Sequence, residues 1–177
     1  MNEYSISISS GKVIGDSVFF RIANDLLEKE CQRICNFTDR LDHHPEQKKE
    51  CIAEYKCAKY RYAAISVIHM TLIHNNRCRK EHSLEATHYL LLPYDLLFKT
   101  QTDALVQYEA APENEKPDYS LYYGMLAFCE NDLSERRELL LHASDWESVE
   151  LEERIGGLLF AKECLCEAWQ KRKDVTA

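Results

Sequence analysis

Apolar residues recur along most of this chain with a period close to 3.6, the spacing of helices with one buried face. The first such stripe is Phe19, Ile22, Leu26, Ile34, Phe37 and Leu41, broadened by Ala23, Leu27 and Cys31. It predicts a helix over 17–41, with Asp16 as its N-cap. Asp42-His43-His44-Pro45 breaks the pattern, and Pro45 suits the first turn of a second helix. That helix is expected over 46–74, ending at Asn75-Asn76, where asparagine tolerates a left-handed cap. Its second half, from Ala63 to Ile73, is apolar on most sides, as in a central helix.

Ser83 opens a third helical segment, which Pro93 should kink or split near Leu92. Leu96, Leu97, Phe98, Leu105 and Val106 belong to its second piece. Residues 111–118, with Pro112 and Pro117, form the main internal loop. Asp118 then starts a short helix through Phe128. Asp132-Leu133-Ser134-Glu135 resembles a capping box and predicts another short helix to about His142. Ser144 or Asp145 caps the last helix, whose stripe is Leu151, Ile155, Leu158, Leu165 and Trp169. Gly156-Gly157 sits in its middle, where each glycine costs about 1 kcal/mol against alanine. Close approach by another helix, or a kink, would offset that cost.

Residues 4–9 alternate instead, with Tyr4, Ile6 and Ile8 on one side, so 1–15 reads as an extended arm. The elements sum to an all-α fold. The expectation is a single-domain helical bundle over 1–177, of six or seven helices with a short extended N-terminal segment. Only 5 glycines and 4 prolines in 177 residues agree, since a sandwich or barrel needs more turns.

The N-terminus MNEYSISISS lacks the basic and apolar regions of a secretory signal, so a cytoplasmic location is expected. The 8 cysteines then read as reduced thiols, several at core spacing. No apolar run reaches the length of a membrane span, so no membrane partner is expected. The net charge of -8 disfavours a generic nucleic-acid binder and suits a protein that meets a basic partner.

Four groups of residues carry candidate chemistry. Cys31 and Cys35 lie four apart on one helix, with His43 and His44 eight residues on, a weak zinc-ligand candidate. No second cysteine pair follows at matching spacing, and structural thiols are the simpler reading. Lys56, Lys59, Tyr60 and Arg61, with Arg77, Arg79 and Lys80, interleave aromatic and basic side chains as polyanion sites do. On a helix they fan around the axis, which favours a solvated face. Asp145, Glu147, Glu150, Glu152 and Glu153 crowd the first turns of the last helix, where acids complement the dipole. They also offer an acidic docking face.

The fourth group is Arg137 and His142. Their Arg-x4-His spacing resembles ribonucleases of the HEPN class, which are small all-α proteins. The resemblance spans six residues, and Glu138 stands where the class has asparagine. It implies a metal-independent cleavage in which His142 is the base and Arg137 holds the phosphate.

Phosphate-loop, GxGxxG, HExxH, GxSxG and EF-hand signatures are all missing, so no cofactor is expected. The leading expectation is a non-catalytic, cytoplasmic helical protein acting through protein–protein interaction. An adaptor, an inhibitor or immunity-type partner, or a small subunit of a complex would fit. Tyrosine abundance and wide apolar arcs also favour an interface, including one between copies of the chain. The alternatives are the ribonuclease and a nucleic-acid or polyanion binder using the basic stretch.

Overall fold

The computed structural model describes residues 17–81 and 102–176. The expected arm, the Ser83 segment and the Pro93 kink lie outside the described residues. Among those described, all regular structure is helical. The helices are α1 (Val18–Asp42), α2 (Pro45–Glu50), α3 (Ile52–Glu81), α4 (Thr102–Ala110), α5 (Lys116–Leu140) and α6 (Asp145–Thr176).

The long helices α1, α3, α5 and α6 form a bundle around one core. Residue pairs across the contacts give its directions. Asn24 meets His69 and Asp42 meets Tyr55, so α1 and α3 are antiparallel. Arg172 meets Asp118 and Cys129 meets Leu158, so α5 and α6 are antiparallel as well. Lys56 meets Trp146 and Arg61 meets Glu153, so α3 and α6 run parallel. Among the described residues, that parallel pair makes the most extensive contact between helices.

The glycine pair explains why α3 and α6 approach so closely. A Cβ on Gly157 would stand 2.7 Å from the Arg61 carbonyl oxygen and 3.1 Å from the Ala64 Cβ. No side chain fits there without moving backbone, so the helix keeps a residue of poor helix propensity. At Gly156 a Cβ would meet only the Arg61 guanidinium, at 3.2 Å, and a long side chain can yield.

The core around this crossing is apolar. Phe19, Ala23 and Leu27 of α1 and Ile65, Ile68 and Leu72 of α3 face Met125 and Leu133 of α5 and Leu158, Ala161 and Leu165 of α6. The most buried line of α1 is Phe19, Ala23, Leu27, Ile34 and Leu41. The stripe is therefore centred beside the expected one, and Ile22, Leu26 and Phe37 are only half-buried. Helix α1 must cover both α3 and α6, which turns its buried line toward the cleft between them.

At the end of the bundle where α6 finishes, aromatic rings close the core. Trp169 stacks on Tyr122 with centroids 4.4 Å apart and planes 5° from parallel. Phe19 meets both rings edge-on, at 5.4 and 5.9 Å. Arg172 is 4 % exposed beside them, its guanidinium 5.0 Å from the Trp169 ring. Its Nη2 donates to Glu115 at 2.7 Å and its Nε to the buried Asp118 at 3.4 Å. This ion cluster ties the last turns of α6 to the first turn of α5.

Several element boundaries differ from those the pattern predicts. Ser17 caps α1, its Oγ accepting from the Phe20 amide at 2.8 Å. The second helix is divided at Cys51 into α2 and α3. Asp42 receives Lys48 from one side of that break, at 2.5 Å, and the Tyr55 hydroxyl from the other, at 2.9 Å, which closes the corner. Helix α3 continues through Asn75-Asn76 because both are used laterally. Asn75 donates to Met125 Sδ at 3.5 Å, and Asn76 is buried. The main loop is shorter than 111–118, since α5 begins at Lys116. The two short helices expected after it are one. Asp132 pairs with Arg136 inside the helix instead of capping it, and Leu133 continues the buried line.

Three glycine substitutions separate packing from propensity. Urea denaturation should show Gly157→Ala destabilised by about 1–3 kcal/mol through overpacking. Gly156→Ala should stay within about 1 kcal/mol of the wild type. Gly124, whose Cβ would meet nothing within 4 Å, should gain about 0.5–1 kcal/mol on substitution by alanine. Arg172→Met removes the buried cation that Glu115 and Asp118 share and should cost about 3–5 kcal/mol in the same assay.

Candidate functional site

The basic-aromatic stretch is dispersed by its helix. Lys59 turns toward the Tyr55 ring, at 5.4 Å, beside the Asp42 corner. Lys56 lies over the Trp146 ring of α6 at 5.2 Å. Arg61 crosses Gly156 to reach Glu153 at 3.4 Å. Tyr60 is half-buried and Arg77 exposed, while the side chains of Arg79 and Lys80 lie outside the described residues. The hydrogen bonds from Lys48 and then Tyr55 hold the Asp42 carboxyl below its usual range. A carboxylate thus sits at the centre of the basic end of this stretch.

A groove of about 460 Å³ runs between α1 and α3 and is bordered by Arg33, Phe37, Glu54, Cys57, Arg61 and Glu153. Its charges are largely matched within the fold. Arg33 Nε and Nη2 each donate to Glu30 at 2.7 Å, and Arg61 pairs with Glu153. Burial pushes the Cys57 thiol up, away from nucleophilic use.

The acidic residues at the start of α6 have separate tasks. Glu147 accepts from the Ser144 hydroxyl at 2.7 Å and from its amide at 3.0 Å, a capping box. Those bonds, the hydroxyl's first, hold its carboxyl below the usual range. Glu150 binds Arg154 at 2.9 Å and Glu153 binds Arg61. Asp145 and Glu152 are exposed.

Around these acids lies the apolar feature the sequence pattern does not flag. Trp146 and Leu141 are each 79 % exposed, Leu139 is 58 % and Val149 is 45 %. Four large apolar side chains within eleven residues, 139–149, are left to water at the α5–α6 corner. Beside them is an open groove of about 380 Å³, lined by Leu139, His142, Ala143, Glu147, Glu150 and Leu151. The signal was present in Leu139-Leu140-Leu141: three consecutive helical positions span about 200° and cannot all face one core.

Arg137 and His142 are both exposed near this corner. His142 lines the groove and Arg137 is not part of its wall. The charged groups opposite His142 are carboxylates, which oppose a phosphate.

The candidate zinc ligands are not gathered into a site. Cys31 and Cys35 are half-buried on α1, and His43 Nδ1 is 2.7 Å from the Asp39 carbonyl oxygen. Among the described residues, no group of three or more His, Cys, Asp or Glu is placed to hold a metal ion. Cys31, Cys35, Cys51, Cys57, Cys129, Cys164 and Cys166 are free thiols. Burial is the main cause that pushes Cys31 up to about 11 and Cys129 and Cys164 up to about 12. Cys129 also donates to the Leu158 carbonyl across the α5–α6 contact, at 3.3 Å.

The fold and this corner define an all-α bundle with an exposed apolar surface. Among the described residues no helix is long and apolar enough to cross a membrane. Compared with known proteins, the chain matches no family model, no curated protein and no solved structure.

The thiols set an alkaline limit. In the unfolded chain they ionise near pH 9, and in the fold only at about 11 to 12. Their contribution is fully present below pH 9 and lost as pH rises toward 11 to 12. Chemical denaturation should therefore show stability falling above pH 9, less steeply in Cys129→Ala/Cys164→Ala than in wild type. At pH 8 an alkylating probe followed by mass spectrometry should label the exposed Cys166 well before Cys129 or Cys164.

Proposed function

We propose that this chain is a non-catalytic helical protein of the cytoplasm that works by binding another protein at its α5–α6 corner. The observation that carries the reading is the exposure of Trp146 and Leu141, each 79 %, beside an open groove. A folded chain gains by hiding such side chains, and interface anchors are enriched in tryptophan. The seven free thiols, Cys31, Cys35, Cys51, Cys57, Cys129, Cys164 and Cys166, support a reducing compartment. The matched charges of the α1–α3 groove and the raised Cys57 thiol support assigning the function to a surface rather than to catalysis. An adaptor, an inhibitor or a small subunit of a complex would each use such a corner.

Affinity capture with wild type and with Trp146→Ala/Leu141→Ser, run side by side, tests the assignment. A stoichiometric partner should be recovered by wild type and lost with the variant. Thermal unfolding of the variant should match the wild type to within about 0.5 kcal/mol, because both side chains already face water. Equal recovery by the two proteins would place the contact elsewhere.

A further inference from the structure

The corner's charge says which kind of partner it takes. Glu147 and Glu150 line the same groove as Leu139 and Leu151, and Asp145 and Glu152 stand exposed on the same turns. Lys56 lies over the Trp146 ring, and Arg154 meets Glu150. Glu147 gives two of its acceptor positions to Ser144, and a carboxylate has about four. The groove therefore combines an apolar floor with acceptors that still have capacity.

We infer that the occupant is a basic amphipathic segment of a partner protein, its apolar face on Leu139, Trp146 and Leu151 and its Lys or Arg side chains toward Glu147 and Glu150. The inference rests on the binding function assigned to this corner. Charge complementarity selects the occupant. A second copy docking its own corner about a two-fold axis would set these carboxylates against themselves. A nucleic acid would bring phosphate to the same carboxylates. A basic amphipathic segment satisfies both halves of the surface, as helices do when they lay an apolar face into a groove.

Two labelled peptides test this, one with leucine on one helical face and lysine on the other, and one with glutamate replacing lysine. Fluorescence anisotropy with the full chain should show the leucine–lysine peptide binding about tenfold more tightly than its counterpart at low salt. Glu147→Gln/Glu150→Gln should remove most of that preference, glutamine still being able to serve the capping box. Glu163→Gln/Glu167→Gln, the same change in charge farther along α6, should leave it in place. Trp146→Ala should weaken both peptides.

Equal affinities for the two peptides, both sensitive to Trp146→Ala, would overturn the charge inference and leave the corner as a docking surface. Equal losses from the two glutamine pairs would overturn it in favour of a general field effect. Binding of neither peptide, with Trp146-dependent self-association in sedimentation, would replace the basic segment by a second copy. Binding of neither peptide without self-association would overturn it too, and the capture experiment would then judge the corner by itself.

Discussion

The contact between Gly157 of α6 and the α3 backbone is the constraint on which the rest of the bundle depends. With 2.7 Å between the site of an absent Cβ and the Arg61 carbonyl oxygen, α6 lies against α3 at the limit that main-chain atoms allow. That approach puts α6 within reach of α1, α3 and α5 together. It also brings Ala161 and Leu165 into the layer that holds Ile65, Ile68 and Phe19. A larger residue would push two parallel helices apart and loosen contacts along both, because close-packed interiors have little slack.

The two ends of the bundle are built differently. Where α6 ends, stacked rings and the Arg172 ion cluster seal the core, with Arg172 only 4 % exposed. Where α6 begins, the polar links are the exposed Asp42 corner and the Glu147 capping box. Large apolar side chains stay outside there. Local rules of patterning hold through most of the chain and fail singly at Val67, Met70 and Val106 and as a cluster at 139–149, and clustered failures concentrate where a surface serves something other than folding. We therefore propose the binding function for the end whose large apolar side chains stay mostly exposed.

Much of the fold was legible because long helical stripes report burial directly. The all-α class, α1, the start of α6 at Ser144-Asp145 and the demand for a close neighbour or a kink at the glycine pair follow from period, capping and propensity. Boundaries inside the chain were less legible. Asn75-Asn76 and Asp132-Glu135 carry stop and start signals, yet both are interior to helices. Their side chains instead serve the neighbouring α5 or an i, i+4 pair. Capping residues are ambiguous until lateral partners are known. At the candidate site, the acidic turns were visible as a group, and the apolar corner around Trp146 was not. Periodicity assigns Val149 and Leu151 to nearly opposite faces, but it cannot say which face the core will cover.

The sequence by itself determined the helical class and the punctuation between most helices, and it marked Gly156-Gly157 as a place that needs a close neighbour or a kink. Those are local properties of period, propensity and chain stiffness. Only the tertiary structure decided that the neighbour is α3 at Arg61, that Arg172 is buried with Asp118, and that Trp146 and Leu141 remain outside. These depend on how the helices are rotated against one another. That rotation is set by the summed packing of the whole core, which no single stripe encodes.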